Sequence, residues 1–232
     1  MSGDDAGRRP ERSTGSRANA LQASLPQSVD AAALGVWSKA PFQLLCVREA
    51  LIWRTEELAR TACDALERGD LAAAALLARA TVESAALAWQ LMEVLDDRQK
   101  LSAQELNEIL VRMLVGSRLW ADAPQALQIL SCIDRMDKTV PGVRHSYDSL
   151  SEIAHPNWRG VFGMYAKTDE PKFTAHFGRN LRSNDSIKGA VVSGLVGALG
   201  LFELAYDRIS DGLPGFLAEL ESLWPEEKTD TQ

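Results

Sequence analysis

Residues 69–97 read GDLAAAALLARATVESAALAWQLMEVLDD, and this stretch decides the fold. Leu71, Ala75, Ala78, Val82, Ala85, Trp89 and Met92 step by four and three, which lays small and apolar side chains along one seam of an α-helix packed on a partner helix. The many alanines let that partner come close. Asp70 stands where an N-cap belongs. The turn Arg68-Gly69-Asp70 also ends the preceding periodic stretch, which starts at Pro41 and carries Leu44, Val47, Leu51, Leu58, Ala62 and Ala65. Two long helices joined by so short a turn lie antiparallel, so the expected fold is mainly α, an antiparallel helical bundle.

Working outward, Ser102 and Glu105 have the spacing of a capping box ahead of Leu106, Ile109, Leu110, Met113 and Leu114, and Gly116 supplies a stop. A fourth element is expected from Asp122-Pro124 through Leu127, Leu130 and Ile133 to the breaker Pro141-Gly142. A fifth runs from Val143 to Ala154, because the residue before Pro156 is pushed away from helical geometry. The period then changes to two. Val161, Gly163 and Tyr165 alternate with Phe162, Met164 and Ala166, and Phe173, Ala175 and Phe177 follow a polar turn, so a small β-hairpin insertion is expected near residues 161–177. A lone hairpin is marginal in water and should pack on the bundle or on a second subunit. The uncharged run Gly189–Phe202 is bounded by Lys188 and Glu203 and is short for a membrane span, so a buried central helix is expected, followed by a separate short helix over Pro214–Trp224.

Residues 1–28 are rich in Ser, Gly, Arg, Asp and Ala without an apolar period, and a disordered tail is expected there. A single helical domain should occupy 29–225, with a flexible C-terminus over 226–232. The tail lacks the apolar core of a secretory signal. Cys46, Cys63 and Cys132 form no CxxC pair, so neither a disulfide framework nor a zinc ribbon is expected, and the thiols read as reduced in a cytoplasmic protein. Against 32 Asp and Glu the chain of 232 residues carries 25 Lys and Arg, a net charge of −7, which argues against general nucleic-acid or anionic-membrane binding. Locally the balance reverses: residues 156–190 hold Arg159, Lys167, Lys172, Arg179, Arg182 and Lys188 against Asp169, Glu170 and Asp185. Such a patch either faces phosphate or is ordinary solvated charge.

The densest polar cluster is Tyr147-Asp-Ser-Leu-Ser151-Glu152-Ile-Ala-His155-Pro-Asn-Trp158. Ser151 and His155 are four apart and Asp148 is seven before His155, on one helical face. Nothing around Ser151 resembles the strained elbow a serine nucleophile needs. Arg79 and Glu83, also four apart, sit beside the apolar seam, so an enclosed network of Arg79, Glu83, Tyr147, Ser151, Glu152 and His155 between the second and fifth helices is expected. His145 and His176 make no HxxxH or HExxH spacing, and no glycine-rich phosphate loop follows a strand, so no metal and no cofactor is expected.

The combination Ala78-Arg79-Ala80-Thr81-Val82-Glu83 with the later Tyr147-x-x-Leu150-Ser151-Glu152-x-x-His155-Pro156-Asn157 resembles a group of uncharacterised bacterial helical proteins with a domain of unknown function, loosely similar to the HEPN superfamily. The resemblance spans about residues 40–210. It implies an antiparallel bundle, frequent homodimers and, in active members, metal-independent RNA cleavage in toxin–antitoxin or phage-defence settings. Active members carry an Arg shortly before the His. Here that window holds Asp148, Ser149 and Leu150 before His155, so the signature is absent. The expected function is therefore a non-enzymatic interaction or regulatory module, a homodimer with an RNA or protein partner and no membrane. The alternative is a divergent HEPN-like RNase using His155 with Arg79 or Arg159.

Overall fold

The computed structural model describes residues 5–223. Eight α-helices and one antiparallel pair of strands follow in order among them: α1 (Asp5–Ala23), α2 (Ala40–Glu67), α3 (Leu71–Asp96), α4 (Ala103–Val115), α5 (Ile129–Thr139), α6 (Val143–Ala154), α7 (Phe162–Tyr165), β1 (Ala166–Asp169), β2 (Thr174–Phe177) and α8 (Asp185–Leu223). The chain is mainly α with a small hairpin, as its periodicity predicts.

α3 is the central helix and packs on α2, α5, α6 and above all α8. Its small residues explain the contact: Ala74, Ala75, Ala78, Ala85 and Ala86 have no exposed surface, and Leu91 and Leu95 close the same face. α8 answers with small residues of its own. A Cβ on Gly194 would fall 2.8 Å from Leu150 Cδ1 of α6, so the glycine leaves room for that leucine where the two helices meet. By length and composition α3 and α8 could each cross a membrane, and here both turn apolar faces into the bundle.

Several local readings hold to the residue. α6 runs from Val143 to Ala154. α4 opens with the reciprocal capping box of Ser102 and Glu105, whose backbone and side-chain hydrogen bonds hold the Glu105 carboxyl below its usual range. Asp70 precedes α3 but makes no side-chain cap; its carboxylate is taken by Arg68 at 3.0 Å and Arg179 at 2.7 Å, which lower its pKa.

Four expectations need correction. The tail expected to be disordered carries α1, which lies on α2 and α8, buries Thr14, Ala18 and Leu21, and pairs Arg17 with Glu203 at 2.8 Å. Tertiary contacts supply what the stretch lacks in apolar content. The fourth element begins at Ile129 and not at Pro124, because Ser117 N–H donates to the Pro124 carbonyl and ties that stretch into an irregular loop. Residues 162–165 of the expected first strand form the turn α7, leaving strand only from Ala166. Gly189–Phe202 and Pro214–Leu223 belong to one 39-residue helix with Pro214 inside it. The segment 226–232 lies outside the described residues.

Candidate functional site

The expected polar network exists in part, between α3 and α6. Arg79 and Glu83 stand one turn apart on α3, and Tyr147, 4% exposed, reaches them from the second turn of α6. The Tyr147 hydroxyl accepts from Arg79 Nε at 3.1 Å and Nη2 at 2.9 Å and donates to Glu83 Oε1 at 2.9 Å. Arg79 also pairs with Glu83 at 3.4 Å, and its guanidinium sits 5.1 Å from the Tyr147 ring centroid. One donor and two lone pairs are all a phenol has, so Tyr147 is saturated within the protein. Burial raises its pKa, the Arg79 bonds oppose that and Glu83 adds to it, so the phenol stays protonated at neutral pH.

The remaining members of the expected network stay outside it. Ser151 Oγ is buried with no hydrogen-bond partner. His155 is exposed, and its backbone N–H donates to the Ser151 carbonyl while its ring has no polar partner among the described residues. The reason is local: ahead of Pro156, His155 takes an extended conformation, φ −76° and ψ 148°, and leaves the helical face that Ser151 and Tyr147 share. Eight residues of α-helical rise also put it roughly 12 Å along the axis from Tyr147. Glu152 is exposed and Arg159 half-buried, neither with a side-chain hydrogen bond or ion pair among the described residues. Asp148, expected on the His155 face, is taken by Arg144 at 3.0 Å. Among the described residues the polar partners of the Arg79 guanidinium are Tyr147 and Glu83, and His155 is not one of them.

The basic stretch 156–190 is also partly used up. Arg179 holds Asp70, Arg182 Nε donates to the Ala166 carbonyl at 2.9 Å, and Lys172 pairs with Asp169 at 3.1 Å. Around the hairpin tip Lys167 and Lys172 are matched in number by Asp169 and Glu170, so the tip carries no net charge. What it exposes instead is aromatic: Phe173 is 98% and Phe177 74% exposed, with Trp158 and Val161 also open at its base. Among the described residues no group of three or more His, Cys, Asp and Glu side chains gathers to hold a metal ion.

Two features escaped the sequence reading. One is a second guanidinium–tyrosine–carboxylate cluster. Arg48 of α2 lies 4.5 Å from the Tyr206 ring centroid of α8, bonds Glu49, and donates to Ser210 Oγ at 2.8 Å, while Tyr206 donates to Glu49 Oε2 at 2.8 Å. Burial and Glu49 push the Tyr206 phenol up to about 12. Neighbouring residues on a helix do not face each other, so Arg48-Glu49 gave no pairing signal. The other is a half-open apolar cavity of about 550 Å³ beside the first network, lined by Val82, Val143, Ser146, Gly194 and Gly197 with Arg17 at one wall.

No protein-family model, curated protein or solved structure matches this chain.

Proposed function

We propose that this chain is a non-enzymatic interaction module: a rigid helical bundle that presents the aromatic hairpin of residues 158–177 to a protein partner. The observation that carries the reading is the closure of the Arg79–Tyr147–Glu83 cluster on itself, with His155 facing solvent away from it. A cluster built around a saturated phenol fastens two helices and holds the guanidinium and the carboxylate against each other. The exposed rings of Trp158, Phe173 and Phe177 suit a protein contact, since aromatic side chains are enriched at the centres of interfaces.

The test is direct. Purified protein incubated with labelled RNA in EDTA leaves the RNA intact, and His155→Ala unfolds within about 0.5 kcal/mol of the parent because the exposed ring makes no hydrogen bond or ion pair among the described residues. EDTA-resistant cleavage that disappears in His155→Ala overturns the reading in favour of a metal-independent ribonuclease.

A further inference from the structure

The hairpin is the part of the molecule least covered by the rest. β1 and β2 pack chiefly on each other and on α7, and all four residues of β2 are exposed. Two strands alone are marginal in water; three or more are needed for independent stability.

Its two outer edges differ. Ala166 pairs with Phe177 and Thr168 with Ala175. Gly178 N–H donates to the Tyr165 carbonyl at 2.9 Å, which makes residues 165 and 178 a hydrogen-bonded pair. By the alternation of an antiparallel ladder, the backbone groups of Ala166, Thr168, Ala175 and Phe177 then point outward. On the β1 side Arg182 covers the Ala166 carbonyl. On the β2 side the N–H and C=O groups of Ala175 and Phe177 have no partner among the described residues. β2 reads Thr-Ala-His-Phe, without the Lys, Pro or inward charge that normally guards an edge.

We propose that β2 pairs with β2 of a second copy of this chain across a twofold axis, closing a four-stranded antiparallel sheet. The open groups set the register. Ala175 of one copy lies opposite Phe177 of the other, and the reverse, which puts His176 opposite its own counterpart on the axis. Ala175 and Phe177 share a face of the strand, so these residues of both copies gather into one apolar layer. The proposal rests on the interaction-module reading and names its partner.

The experiment uses the full chain. Light scattering over a concentration series finds a dimer, and Phe177→Ser is monomeric and melts where the parent melts once diluted to its monomer, since the ring is 74% exposed in the single chain. In the register given, residue 176 and its counterpart form a non-hydrogen-bonded pair with Cα atoms about 4.5 Å apart, within disulfide reach. Mild oxidation therefore links His176→Cys into a covalent dimer. Thr174→Cys, offset from the axis, does not link, and the parent with its three native cysteines is the blank. A monomer at every concentration overturns the pairing and leaves the ribonuclease assay above untouched. A dimer in which His176→Cys fails to link overturns the register, and with it the proposal. RNA cleavage would remove the interaction-module reading without altering either dimer measurement.

Discussion

Tyr147 and Tyr206 each lie against an arginine guanidinium and each donate a hydrogen bond to a glutamate, the first joining α3 to α6 and the second α2 to α8. The chemistry is shared; the depth is not. Arg48 and Glu49 are 13% and 12% exposed, whereas Arg79 and Glu83 are 30% and 25% exposed. Glu49 uses both carboxylate oxygens, one on Arg48 and one on Tyr206, while Glu83 uses Oε1 alone. The lesson is that equivalent side chains make one cluster that water can partly replace and another that it cannot.

The largest expected effect follows from that difference. Glu49→Ala strands a nearly buried guanidinium and a phenol, and urea unfolding should find a loss of about 3 kcal/mol. Glu83→Ala, whose partners can turn to solvent, should lose about 1 kcal/mol. Equal losses would show that burial is not what separates the clusters. Because the two share no partner, the double variant should lose the sum within about 0.5 kcal/mol.

A second contrast appears in alkali. The Tyr206 phenol ordinarily titrates at 10 and is raised to about 12 in the folded chain. The unfolded chain therefore releases this proton first, so the stabilisation is complete below pH 10 and disappears as pH rises toward 12. Tyr206→Phe should flatten stability against pH in that window. Tyr147→Phe should flatten it less, because the Arg79 hydrogen bonds oppose the upward push on that phenol.

The smallest effect concerns Ser151. Its buried hydroxyl has no partner, so Ser151→Ala should leave stability unchanged or raise it by up to about 1 kcal/mol, read from the same urea curves. A clear loss would mean that the hydroxyl has a role in the α3–α6 contact after all.

These differences also mark what could be read from the chain. Arg79 and Glu83 were visible through their i,i+4 spacing, and Tyr147 through its place on a helix bounded by Gly142 and Pro156. The same Pro156 was read correctly as the end of the helix. That reading left out its second effect, turning His155 away from the face it was expected to share. Arg48-Glu49 was invisible because adjacent helical residues diverge until a tyrosine on another helix draws them together. α1 was missed because its apolar content is low and its order comes from α2 and α8. Phe162–Tyr165 is uniformly apolar and short, a pattern that strand and helix share, and Tyr165 N–H donates to the Val161 carbonyl so that the stretch closes as a helical turn.

Proline favours the first turn of a helix, yet Pro214 lies inside α8 and interrupts its backbone ladder. Having no N–H, it cannot answer the carbonyl of Ser210, so the final ten residues are joined to the rest of α8 by one rung fewer. Holding them beside the bundle are the buried Phe216 ring, part of the core, and Arg98, whose guanidinium lies 5.5 Å from that ring's centroid and pairs with Glu219 at 2.9 Å. The end of the longest helix is thus latched from the side, by a residue just beyond α3, and its angle to the bundle is governed by that clasp as much as by the helix it terminates.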